Sequence, residues 1–176
     1  FIETAKCLNQ RFPAARFLVP LATRETRDMF ELALYKLSAQ GLPITRLFCH
    51  AQDAMAVADG VLVASGTATL EAALLKKPMV VAYRMSPWSW RLMRRMQYQP
   101  WIALPNILSA CFVVPEFLQD DATPENLAQA LGNLVEDQET SRRIAGIFTN
   151  LHEKLRLNSA ERAAEAIMPY LIRTAA

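Results

Sequence analysis

The chain has 176 residues, 52% hydrophobic and 20% charged, with a formal net charge of +2. That supplies the core of one globular domain and excludes a disordered or collagen-like chain, while so small a charge excludes a general nucleic-acid binder. Cys7, Cys49 and Cys111 are far apart and only His50 and His152 could join them, so zinc-ligand spacing is absent, and reduced thiols in a cytoplasmic protein are expected.

In chain order, Phe1 to Phe12 reads as a helix already under way, as in a piece of a longer protein. There is no signal-peptide pattern and no run near the length of a membrane span. Pro13 ends the first helix, and Arg16 to Pro20 is a short strand. Arg24 to Ala39 places Phe30, Leu34 and Leu37 at helical spacing, and Gly41 with Pro43 closes it before the strand Ile44 to Phe48. His50 follows that strand on what would be its ligand side, and no role is assigned to it. Gln52 to Ala58 is a short helix, Val61 to Ala64 a buried strand, Thr67 to Leu75 a helix and Met79 to Tyr83 a strand. Continuous apolar strands alternating with helices predict an α/β fold, a doubly wound parallel sheet covered on both faces. The central strand of such a sheet is its first. It would stand before Phe1, so the sheet is expected to have a gap.

Ser86 to Tyr98 predicts a basic amphipathic helix, with Arg91, Arg94, Arg95 and Tyr98 on one arc and Trp88, Leu92, Met93 and Met96 on the other. Two readings stay open. The helix with Trp88, Trp90 and its arginines lies on an anionic membrane surface, or its apolar arc faces the core and the arginines face water. Trp101 to Ser109 reads as a strand and loop, Pro115 and Glu116 open a short helix ending near Gln119, and Thr123-Pro-Glu starts another. From Ser141 onward the chain is nearly all helix, with breaks expected near Asn158 and at Pro169. Residues 1–140 are expected to form the ligand-binding part, with the helices of 141–176 packing on it, on a missing domain or on a second protomer.

The most informative stretch is Val61-Leu-Val-Ala-Ser65-Gly66-Thr67-Ala-Thr69-Leu-Glu71. An apolar strand breaking at Ser-Gly into a helix leaves free N–H groups and the positive end of a helix dipole, where a phosphate can be held. Ser65 and Thr67 add hydroxyl donors. Glu71 lies about 6 Å further along the axis, roughly the step from a pyrophosphate to the ribose of a nucleotide. The same residues also fit an ordinary capped helix start. A capping box would need Glu or Gln three residues after the cap, however, and Ala68 and Leu70 stand there.

The run S-G-T-A-T-L-E-A-A-L-L-K-K-P-M-V-V-A-Y-R-M, followed by L-P-N-I-L and P-E-F-L-Q, resembles the C-terminal half of the lipid-A-disaccharide synthase family. The likeness runs over essentially the whole chain. It implies a glycosyltransferase of the two-Rossmann-domain type whose C-terminal domain holds the sugar-nucleotide donor. The implied reaction moves a sugar from UDP-2,3-diacylglucosamine to 2,3-diacylglucosamine 1-phosphate, forming a β-1,6-linked disaccharide phosphate and UDP at the cytoplasmic face of the inner membrane. No metal or other cofactor is implied. Carried over, Ser65, Gly66 and Thr67 meet the diphosphate and Glu71 the ribose. Tyr83, Arg84 and Asn106 line the donor cleft, with Glu116 and Gln119 as the later polar motif. The catalytic base is implied in an N-terminal domain that this chain lacks, together with a Gly-Ser-Arg loop.

The chain also departs from the family between Asn106 and Pro115, where a Gly-Arg or Gly-Lys element is replaced by Ser109-Ala110-Cys111-Phe112. Two other readings stay open: a UDP-sugar 2-epimerase-like enzyme, which shares the fold and a similar glutamate, and a non-catalytic nucleotide-binding module that works with a partner chain. The sequence also leaves a homodimer open.

Overall fold

The computed structural model describes residues 1–64, 66–96 and 100–172. Ser65 of the expected phosphate turn and Tyr98 of the basic helix lie outside the described residues. Strands and helices alternate as α1 (Ile2–Arg11), β1 (Phe17–Leu21), α2 (Arg24–Lys36), β2 (Ile44–Phe48), α3 (Ala51–Val57), β3 (Val61–Ala64), α4 (Thr67–Leu74) and β4 (Met79–Tyr83). There follow α5 (Pro87–Met96), α6 (Leu104–Ser109), β5 (Glu116–Leu118), a single 3-10 turn (Gln119–Asp121), α7 (Pro124–Glu136), α8 (Gln138–Leu155) and α9 (Ser159–Ile172).

All strand pairs among the described residues are parallel, and they fall into two sheets, β1-β2 and β3-β4-β5. No ladder joins β1 to β3 among the described residues, as the expected gap in the sheet requires. Met79, Val80, Val81 and Ala82 of β4 are all buried. Successive side chains of a strand point to opposite faces, so β4 is covered on both. α7 packs on β3 and β4 and against α1, while α4 packs on the same strands and against α6 and α8. The main core lies here, with Phe148, Ile144, Met79, Val80, Val81 and Val114 at its centre.

Three sequence expectations are corrected. Trp101 to Ser109 is not a strand and loop, because Leu104–Ser109 is helical with Pro in its first turn. The carboxylate of Glu116 accepts from the N–H groups of Ile102 and Ala103, both at 2.9 Å, and so caps α6 from a distant part of the chain. Glu116 itself opens a strand rather than a helix. Pro115 has no N–H to give, but its carbonyl accepts from Val81 N at 2.9 Å and the next three residues pair with Val81, Ala82 and Tyr83. Pro169 does not break α9. The helix around it is solvent-exposed, so water can satisfy the carbonyl that proline leaves unbonded. The expected break at Asn158 is present, with φ at 52° between α8 and α9.

Thr123 caps α7 by accepting from Asn126 N at 3.2 Å, and Asp137 caps α8 by accepting from Thr140 N at 2.9 Å. That bond holds the Asp137 carboxyl below its ordinary value. α8 buries Ile144, Phe148 and Leu151 on the body, whereas α5 and α9 pack less closely on the other elements among the described residues.

Candidate functional site

The carboxyl ends of β3, β4 and β5 bring most of the expected residues into one row. Ala64 pairs with Ala82 and Tyr83 with Leu118. Gly66 lies just beyond β3, Arg84 just beyond β4 and Gln119 just beyond β5, at the same edge of this parallel sheet.

Gly66 is the N-cap of α4, with φ at 126°. A Cβ at that φ would be strained, so the residue type is set by the turn. The turn is closed from inside, where the buried Thr69 hydroxyl donates to Gly66 O at 2.7 Å. Gly66 and Thr67 are exposed, and although Thr69 N–H donates back to Gly66 O at 3.1 Å, the N–H of Thr67 in the first turn of α4 has no acceptor within the helix. Glu71 is half-buried between the equally half-buried Leu74 and Leu75, and its carboxylate has no hydrogen-bond or ion-pair partner among the described residues. A partly desolvated, unpaired carboxylate gains from meeting a donor. Arg84 is exposed and likewise lacks an acidic partner among the described residues. Tyr83 is half-buried at the end of β4.

Asn106, Glu116 and Gln119 are spent on the protein itself. Asn106 is fully buried. Its amide donates to Val114 O at 2.9 Å and Glu116 Oε1 at 2.8 Å, and its carbonyl accepts from Val113 N at 2.8 Å and Val114 N at 2.9 Å. With all four positions filled, Asn106 has nothing left for a ligand. Glu116 accepts from Asn106, Ile102 and Ala103. The Gln119 amide accepts from Met85 N at 2.7 Å and donates to Met85 O at 3.1 Å. These three side chains brace the site.

Trp88 is 79% exposed and Leu92 62%, while Trp90 and Met93 are half-buried. The arc expected to face the core therefore carries Trp88 and Leu92 into solvent. Arg91 lies over the Trp88 ring, its guanidinium carbon 5.8 Å from the centroid, and Arg95 is exposed. The Arg94 side chain lies outside the described residues.

One pairing at the end of β2 was not assigned from the sequence. Cys49 and His50, at the carboxyl end of β2, both adopt left-handed backbone, with φ at 62° and 47°. The His50 Nδ1–H donates to Asp53 at 2.8 Å. The spacing of His50 and Asp53 across a strand-to-helix junction is the trace that could have marked them. A surface cavity of about 410 Å³ lies along β2, against Leu34, Tyr35, Leu42, Ile44 and Arg46. Among the described residues there is no cluster of metal-ligating side chains, and no helix is long and apolar enough to cross a membrane.

The model of the lipid-A-disaccharide synthetase family matches residues 1–167. The chain is 58% identical over 171 residues to a lipid-A-disaccharide synthase of Azoarcus sp. (strain BH72), a match covering 97% of this chain and 44% of that protein. It is similarly 56% identical over 172 residues to that of Dechloromonas aromatica (strain RCB), covering 97% and 45%. A third relative, from Aromatoleum aromaticum, is 57% identical over 174 residues, covering 99% and 44%. The chain spans less than half the length of the curated relatives it matches.

Proposed function

Since the chain belongs to the lipid-A-disaccharide synthetase family, we propose that it forms the sugar-nucleotide-binding half of a glycosyltransferase. The full-length protein would transfer 2,3-diacylglucosamine from UDP to 2,3-diacylglucosamine 1-phosphate. The observation that carries this reading is the shared sheet edge, with Gly66 and Thr67 exposed at the start of α4, an exposed Arg84 after the neighbouring strand and a half-buried Glu71 in the next turn, neither of the last two having an oppositely charged partner among the described residues. Negative charge grows on the departing diphosphate as the glycosidic bond breaks. Donors already aimed at that position stabilise it without reorganising. The base that takes the acceptor's proton comes from the other half of the protein, whose approach would also cover this face.

Residues 1–140 supply the donor site, and α9 crosses to that other half or to a second protomer. With Trp88, Leu92 and Arg91 exposed together, α5 is the part that meets the anionic lipid of the cytoplasmic face of the inner membrane.

The test is Glu71→Gln in the full-length protein. Replacing a charge-assisted contact to the ribose hydroxyls with a neutral one weakens UDP binding by about 1–2 kcal/mol, roughly 5- to 30-fold. Unchanged UDP affinity by calorimetry, with folding intact, would remove Glu71 from the site.

A further inference from the structure

We propose that Gln119 is a positioning residue whose work is to hold Arg84 as a phosphate-gripping cation at the donor face, an inference that rests on the donor-site reading above. Beyond the last ladder pair, Tyr83 with Leu118, the β4 and β5 chains stay joined by a reciprocal clamp. The Gln119 side chain takes both backbone groups of Met85, at 2.7 and 3.1 Å. In return, Arg84 Nε–H donates to the Gln119 carbonyl at 2.8 Å. Gln119 holds a left-handed backbone, with φ at 53°. A non-glycine residue keeps that conformation where its surroundings over-determine it, and here the clamp does so.

The consequence falls on Arg84. A long, exposed arginine ordinarily samples many rotamers, but the bond from Nε fixes this guanidinium at its elbow and leaves both Nη groups unpaired among the described residues. Two parallel N–H donors match two oxygens of a phosphate. Arg84 follows β4 and the Gly66–Thr67 turn follows β3, the neighbouring parallel strand, so both lie at the same edge of the sheet. The ligand chemistry is a phosphate oxyanion. It belongs either to the donor diphosphate or to the 1-phosphate of the acceptor.

The experiment uses the full-length protein with Arg84→Gln, Arg84→Lys, Gln119→Met and the double variant Arg84→Gln/Gln119→Met. Arg84→Lys keeps the charge but loses both the elbow bond and the fork, so it should be nearly as impaired as Arg84→Gln, by about tenfold or more. Gln119→Met should give a loss of the same kind, and the double variant should be no worse than Arg84→Gln alone. If the donor diphosphate is the ligand, the Kd for UDP rises while the Kd for uridine does not. If the acceptor phosphate is the ligand, UDP affinity holds and the acceptor KM rises. Wild-type UDP affinity and KM values in Gln119→Met, or additive losses in the double variant, would overturn the positioning role. If Gln119→Met fails to fold, the comparison of Arg84→Lys with Arg84→Gln still decides, because a lysine that restores full affinity overturns the elbow-and-fork account. A wild-type protein that binds no UDP overturns the donor reading. UDP binding that ignores Arg84, with an unmoved acceptor KM, overturns this inference alone.

Discussion

Ala110 ends α6 with φ at 51°, a left-handed position where the Cβ of an L-residue crowds the following carbonyl. A glycine fills such a helix end without strain. Ala110→Gly should therefore stabilise the protein. The relief of about 1–2 kcal/mol is partly offset by the freer unfolded chain, leaving a net gain of up to about 1 kcal/mol. A urea midpoint that falls in the variant would contradict this. Asn106 shows what single residues hide. An Asn after Pro reads as a turn residue near a cleft, yet the groups that bury and saturate it come from Val113, Val114 and Glu116. No local pattern announces a partner that the chain reaches only after passing round a helix and back into a sheet.

The elements divide by how much of their cause is local. β3 and β4 are continuous apolar runs bounded by turn residues, and their limits, Val61–Ala64 and Met79–Tyr83, coincide with the sequence reading. β5 has three residues and begins with a glutamate, so it exists only because β4 offers an edge. In α5 the periodicity was legible but its orientation was not, since Trp90 and Met93 turn inward while Trp88 and Leu92 face solvent. If that face meets anionic lipid, replacing Arg91, Arg94 and Arg95 with Gln in the full-length protein should weaken vesicle binding by about 1 kcal/mol for each arginine. The binding that remains should also respond less to salt. Equal sedimentation with phosphatidylglycerol vesicles before and after substitution would leave α5 without this role.

At the scale of the whole molecule, the alternation of strands and helices made the parallel α/β fold and its interrupted sheet legible. The uneven distribution of the core was not. The buried cluster gathers around β3, β4, α4, α7 and α8, whereas α2 buries only Leu34, and β1 and β2 contain no fully buried residue. Where few apolar groups are buried, opening to solvent costs little. In the 176-residue chain, amide hydrogen exchange should therefore be slowest in β4, α7 and α8 and much faster in β1, β2 and α2. Unpaired edges on β1 and β3 should make this chain prone to self-association, and a donor face without a base should leave it without transferase activity. In the full-length protein, a strand lying between β1 and β3 should slow exchange along both, joining the two sheets into one. Uniform protection across β1 to β5 in the 176-residue chain would show that the two halves already share one cooperative core, and glycosyl transfer by it would show that the site is complete without the other half.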